Sequence, residues 1–245
     1  MLNRSDEISW FGQIDFDVRC EWGEEGLKRL GSLCDVVVIV DAMSFSTCVS
    51  AAVSVGATVY PHQFKDTGAS EKAKKLGAEL ASSRGAGLLS LSPTTMLNLK
   101  PGMRLVLPSR NGAVLSLAAQ EKPIFAGCFR NASAVAKAAS KCGKTILVVP
   151  AGERWLPESL MRPGLEDWLA AGAVISNLPG SRSAEAEAAA TLFEACRSRL
   201  REVLGACGSG RELRWKGFEK DLDFIAALDA DAAAPRFING CYAAM

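Results

Sequence analysis

Residues 36–41, Val-Val-Val-Ile-Val-Asp, form an unbroken apolar run that stops at a carboxylate. A short run of this kind, rich in β-branched residues, reads as a strand buried on both faces. Residues 42–54 follow as a small-residue stretch with Ser44, Ser46 and Thr47 near its start, and predict a helix. The alternation recurs. Leu105-Val106-Leu107 leads into Pro108-Ser109-Arg110-Asn111-Gly112 and an Ala/Leu helix, and 123–126 leads into Gly127-Cys128-Phe129-Arg130-Asn131 and a helix over 132–140. A fourth strand, 145–149, leads into Pro150-Ala151-Gly152-Glu153. Strands alternating with helices predict a three-layer α/β/α fold with a mixed, largely parallel sheet, taken as one domain over 1–245. Strands that are parallel neighbours would put these polar loops on one rim, at the carboxyl ends where open α/β sheets place ligands.

Ile14, Phe16, Val18 and Cys20 alternate with polar residues and predict an early strand covered on one face, followed by a short helix over 24–30. Residues 57–60 read as a strand. Residues 70–82 read as a charged helix with Ala73, Leu76 and Leu80 inward, ended by Gly85-Ala86-Gly87. Ser92-Pro93 and Pro101-Gly102 make 88–99 a loop. Residues 150–165, with Gly152, Pro157, Pro163 and Gly164, predict a long irregular loop before a helix over 166–171, and loops of that length inside a domain tend to be functional. Ser183 is placed to cap a helix reaching about residue 204, with Glu185 and Glu187 at its positive end and Leu192, Phe193, Cys196, Leu200 and Val203 as its apolar stripe. Residues 209–218 are polar and Gly-bearing, and 221–230 predict a last helix.

Composition narrows the partners. Of 245 residues 49% are hydrophobic and the formal charge is +1, which gives no electrostatic reason to expect nucleic acid or an anionic membrane. Residues 1–7 hold no apolar stretch of leader length, so a cytoplasmic location is expected. The eight cysteines include no Cys-x-x-Cys pair, and none is followed six positions later by the Arg that a thiolate phosphatase loop requires, so reduced structural thiols are expected. His62 is the single histidine, which excludes mechanisms needing two imidazoles and reads as a surface or rim residue.

The polar loops carry phosphate chemistry without the usual nucleotide signatures. Gly85-Ala86-Gly87-Leu88 does not complete a dinucleotide fingerprint, and Gly208-Ser209-Gly210-Arg211 lacks the Gly-Lys-Ser/Thr ending. An aspartyl-phosphate route would want a second acid two residues after Asp41, and that position is Met43. What remains is an anion cradle with a cation. Backbone N–H groups at Ser44 to Thr47, at Arg110-Asn111-Gly112 and at Arg130-Asn131 offer the cradle. Arg84, Arg110, Arg130 and Arg154 offer bidentate contacts, and Asp41, Glu153, Glu166 and Asp167 are hard oxygen ligands suited to magnesium. Each also has an ordinary structural reading, as a helix cap or a negative first turn.

These segments resemble the 2-phosphosulfolactate phosphatase family, magnesium-dependent enzymes of the coenzyme M route. The likeness lies in Val38-Ile39-Val40-Asp41-Ala42-Met43-Ser44-Phe45-Ser46-Thr47, in Pro108-Ser109-Arg110-Asn111-Gly112-Ala113, in Asn131-Ala132-Ser133 and in Ala151-Gly152 with Glu166-Asp167 and Ala171-Gly172. Asp221 and Pro235 are similar to its closing segment. Departures are Ser44 where the family has Arg, a Gly-Glu-Arg reduced to Arg84, and Leu91 for Asn before Ser92-Pro93. The resemblance implies a phosphatase acting on 2-phosphosulfolactate or a similar small anionic phosphorylated substrate, with Mg2+ held by Asp41, Glu153, Glu166 and Asp167. Asp41, Arg84, Arg110 and Asn111 would be catalytic, and Ser44, Ser46, Thr47, Ser92, Ser109, Gly112, Asn131 and Gly152 would bind substrate. The alternative is a repurposed member that binds a phosphorylated or sulfonated metabolite without turnover. A homodimer is the assembly left open.

Overall fold

The computed structural model of the protein describes residues 10–63, 68–119, 122–155, 157 and 160–244. The first half-sheet holds strands β1 (Val18–Cys20) and β2 (Val36–Val40), with helix α1 (Gly23–Leu30) between them. Helix α2 (Phe45–Ser54), β3 (Thr58–Gln63), α3 (Ala69–Leu76) and β4 (Glu79–Leu80) follow. A 3-10 segment, Pro93–Asn98, then precedes β5 (Arg104–Ser109), α4 (Gly112–Ala118), β6 (Ile124–Gly127), α5 (Ala132–Ala139) and β7 (Ile146–Pro150). A two-stranded ribbon, β8 (Glu153–Arg154) with β9 (Met161–Arg162), leads to α6 (Leu165–Ile175), α7 (Ala184–Cys196), α8 (Leu200–Ala206), α9 (Gly208–Trp215) and α10 (Glu219–Ile225). The chain then closes on the hairpin β10 (Arg236–Ile238) and β11 (Cys241–Ala243).

Every residue of β2 is buried because alternate side chains face different cores. Val36, Val38 and Val40 pack on the side of α5, α6 and α7. Val37 and Ile39 pack with α1, α2 and α4 on the other. The strand lies between two helical layers, as its unbroken apolar run requires. By the same parity Asp41, directly after β2, falls on the α2 and α4 side.

The nine strands are ordered β1-β7-β2-β6-β10-β11-β3-β5-β4. β1, β7, β2 and β6 are mutually parallel, and so are β3, β5 and β4. The hairpin pairs antiparallel with β6 on one side and β3 on the other, so the two halves run in opposite senses. The expectation that all four loop-bearing strands are parallel neighbours therefore holds for β2, β6 and β7 and fails for β5. The five steps from β2 to β5, at the usual twist of about 20–25° each, turn β5 by roughly 100–125°, enough to swing its carboxyl end off the opposite edge. Helix α4, which follows β5, packs against β2 as well as β3.

Other expectations shift at their ends. The early strand is only Val18–Cys20, and Ile14 and Phe16 are 46% and 37% exposed because the chain turns through Gln13 at φ 53°. The Gln13 amide then pairs with both backbone groups of Cys20. The charged helix stops at Gly77, whose φ of 57° suits the left-handed cap, and Leu80 returns to the sheet rather than facing in from a helix. The irregular loop over 150–165 contains the β8–β9 ribbon. Residues 209–218 are mostly helical, with the Cys207 sulfur accepting from Gly210 N–H as cap. Ser183 caps α7 as its sequence suggests, accepting from the Ala186 N–H. His62 is buried rather than on the surface. All eight cysteines are thiols, and burial pushes Cys128 up to about 11. No helix among the described residues is long and apolar enough to cross a membrane.

Candidate active site

Asp41 is the centre of the polar cluster. Its Oδ2 accepts from the Gly112 N–H at 2.8 Å and from Ser109 Oγ at 3.3 Å, and its Oδ1 accepts from the Phe45 N–H at 3.2 Å. The first turns of α2 and α4 thus converge on one carboxylate. Gly112 makes this possible, since a Cβ there would lie 2.3 Å from Phe45 Cδ1 and 2.9 Å from Asp41 Oδ2. Burial raises the Asp41 pKa, the three donors pull it back, and the Glu166 charge adds to the rise.

Three further acids surround it. Asp167, in the first turn of α6, accepts from Ala42 N–H at 2.7 Å and from Gly152 N–H at 2.8 Å, tying the β2 and β7 ends together. Gly152 adopts φ 68°, so glycine is the residue that suits this turn. Burial lifts Asp167 well above the carboxylate range, helped by the charges of Asp41, Glu166 and Glu153. Glu153 accepts from Asn111 Nδ2 at 3.3 Å, and burial followed by the charges of Asp41 and Glu166 pushes it up to about 7. Glu166 is buried and accepts hydrogen bonds from the Ser209 hydroxyl and, at 3.4 Å, the Cys207 thiol. Asp41, Asn111, Glu153, Glu166 and Asp167, scattered over more than a hundred residues of chain, are therefore neighbours.

The arginines fare differently. Arg84 pairs with Asp221 at 3.0 Å, donates to Ser44 Oγ at 2.9 Å and lies over the Phe218 ring. Ser92 and Thr94 also donate to Asp221, at 2.6 and 2.9 Å, so Ser92 belongs to this clamp. Through Ser44 the clamp abuts the start of α2. Arg154 donates to Asn111 Oδ1 at 3.3 Å and to Glu24, beside a cavity of about 310 Å³ also lined by Trp22, Asn111, Glu153 and Met161. The Arg110 side chain is exposed between Ser109 and Asn111. Arg130 lies elsewhere, bidentate to Asp231 and stacked on Phe224 at 3.7 Å. The Asn131 amide closes the turn after β6 through Cys128 N–H and Ala126 O. Ser46 bonds Ile39 O and Asp41 N–H, and Thr47 bonds Ala42 O, so both hydroxyls brace the turn that carries Asp41.

Residues that sequence reasoning left out are Phe45, Cys207, Ser209 and Arg162, with Asp221 noted only as part of a closing segment. Cys207 and Ser209 stand some forty residues from the Glu166 they hold, and no local pattern announces that contact.

The fold and this site define an α/β protein that gathers buried acids and backbone N–H donors at the carboxyl ends of its strands, an architecture that receives small ligands. The 2-phosphosulpholactate phosphatase family model matches residues 24–240, and the chain belongs to that family. It is 30% identical over 217 residues to a probable 2-phosphosulfolactate phosphatase of Thermotoga petrophila, covering 85% of this chain and 92% of that one. It is 27% identical over 207 residues to the 2-phosphosulfolactate phosphatase of Methanothermobacter thermautotrophicus, covering 83% and 87%.

Proposed function

We propose that this protein is a magnesium-dependent phosphatase that hydrolyses a small acidic phosphomonoester, 2-phosphosulfolactate first among them, to sulfolactate and phosphate. The observation that carries the reading is Asp41, held at the end of β2 by donors from two helix starts and surrounded by three more acids. Asp41, Glu153 and Asp167, each raised by burial and by neighbouring acid charge, form with Glu166 a cluster that a hard dication would relieve.

The donor set suits magnesium of the sparsely ligated kind. Among the described residues no three His, Cys, Asp or Glu side chains stand close enough to hold a metal ion by themselves. Magnesium typically takes one or two carboxylates and completes its shell with water and substrate phosphate. Glu153, which among the described residues accepts from Asn111 alone, and Asp41 would hold it, while Asp167 fixes the adjoining Ala42 and Gly152. Bound there, magnesium would neutralise charge on the phosphate. The chain's own residues supply positioning: Asn111 orients the phosphate, and Arg84, held by Asp221 beside the α2 start, offers charge opposite to that of the phosphate. A cytoplasmic enzyme with a small anionic substrate follows from this reading.

Purified protein should release phosphate from 2-phosphosulfolactate when magnesium is added and stop when it is chelated, and Asp41→Asn should abolish release. Metal-independent turnover, or an active Asp41→Asn protein, overturns the assignment. The second reading, binding without turnover, is favoured by the engagement of Asp41, Glu166 and Asp167 with protein donors on both oxygens. It predicts thermal stabilisation by sulfolactate with no hydrolysis of any phosphomonoester.

A further inference from the structure

The β8–β9 ribbon sets Arg162 directly across from Glu153. Arg162 is half-buried, and its Nη1 lies 3.6 Å from where a Gly208 Cβ would stand, at the start of α9 between the Cys207 and Ser209 that hold Glu166. The ring of Trp155, on the same ribbon, sits 5.5 Å from the guanidinium centre. Its charge is felt by Glu153, whose carboxyl it pulls down against the surrounding acids.

Arg162 has no hydrogen-bond acceptor among the described residues. Other guanidiniums near the acids are engaged: Arg84 by Asp221, Ser44 and Leu91 O, and Arg154 by Glu24 and Asn111. Its N–H donors are not sealed from solvent, so an incoming anion can reach them, and a planar fork fits a carboxylate, sulfonate or phosphate edge-on. In the proposed function the phosphate is oriented by Asn111, which donates to the same Glu153 that Arg162 faces across the ribbon.

We propose that Arg162 receives a second acidic group of the substrate, a carboxylate or sulfonate, and so selects diacidic phosphomonoesters over simple ones. This rests on the phosphatase reading, and makes Arg162 a substrate-binding residue on the ribbon with Trp155 as its backing.

The test compares wild type, Arg162→Ala and Arg162→Lys on 2-phosphosulfolactate and on phenyl phosphate, whose leaving group carries no acid. Turnover is measured with magnesium, and binding of 2-phosphosulfolactate by calorimetry in EDTA. Arg162→Ala should raise KM and Kd for 2-phosphosulfolactate about 10- to 100-fold, the loss of one charge-assisted contact, and leave phenyl phosphate within about threefold. Arg162→Lys should recover only part, because an ammonium keeps charge without the fork. Equal losses on both substrates, or no loss, overturn the proposal. If wild type binds 2-phosphosulfolactate without hydrolysing it, and Arg162→Ala loses that binding, the anion seat stands and the phosphatase reading falls. If wild type neither binds nor turns it over, both fall.

Discussion

Replacing Gly112 by alanine tests how closely α4 must approach Asp41. The new methyl would sit 2.3 Å from Phe45 Cδ1 and 2.8 Å from Phe45 Cγ. Carbon atoms rest at about 3.5–4.0 Å, so the two must part by roughly 1.2–1.7 Å. Phe45 cannot yield that distance: it is fully buried and stands edge-on against Tyr242, ring centroids 6.2 Å apart. The start of α4 moves instead, and the 2.8 Å bond from Gly112 N–H to Asp41 stretches or breaks. Overpacking costs about 1–3 kcal/mol and the charge-assisted bond about 1.5–3 kcal/mol. The two share neighbours and do not add fully, so about 2–5 kcal/mol is expected, a fall in Tm of roughly 5–20 °C. Urea unfolding followed by circular dichroism should show the midpoint falling with the slope unchanged, and phosphate release should fall with it. Gly77→Ala is the control, because φ there is 57° and nothing lies within 4 Å. It should cost only the backbone term, about 1–2 kcal/mol, and leave activity alone. A Gly112→Ala protein as stable and as active as wild type would refute the geometry.

Glu153 links stability to pH. Its carboxyl is raised from 4.5 to about 7, so the folded state holds the proton longer than the unfolded chain, and this contribution is full below about 4.5 and lost as pH rises through about 7. In metal-free protein, Glu153→Gln should therefore gain stability relative to wild type by about 1–3 kcal/mol between pH 5 and 8, and a difference that stays flat would show that Glu153 ionises normally. The same proton competes with magnesium, so apparent magnesium affinity in the activity assay should weaken below pH 7, by up to about tenfold per unit; a constant affinity from pH 5.5 to 8 would remove Glu153 from the metal shell. Away from the site, Asp231→Ala leaves the Arg130 guanidinium buried without its bidentate partner and should destabilise by about 3–5 kcal/mol in urea, a value near zero showing that Phe224 and solvent suffice for Arg130.

Sequence pattern is most legible where one run of residues answers to one environment. The apolar residues 36–40 announce a central strand because both faces are covered, and Asp41 announces the rim because a carboxylate cannot continue such a run. The hairpin β10–β11 is harder, since each strand has three residues and neither alternates cleanly. A signal was nonetheless present in Asn239-Gly240, whose φ values of 52° and 83° are those of the tight hairpin turn this dipeptide favours. In the site, Asp41, Asn111, Glu153, Glu166 and Asp167 were legible as polar residues beside strand ends or helix starts. Arg162 was not, because it lies on a two-residue strand inside a segment that reads as loop, and its meaning comes from Glu153 across the ribbon. Asn131 and Arg130 have the same local look as Asn111 and Arg110, yet Arg130 is engaged by the distant Asp231 and the Asn131 amide is spent on its own turn.

The closing hairpin has a consequence for biosynthesis. Asp41 comes from one half-sheet and Ser109 and Gly112 from the other, and among the described residues the hairpin over 236–243 alone bonds to both halves. While the ribosome is still adding those residues, β6 and β3 each present an open edge to the surroundings. Until that ribbon is in place the two half-sheets share no ladder, and the donors that meet at Asp41 lack the frame that aligns their two sources.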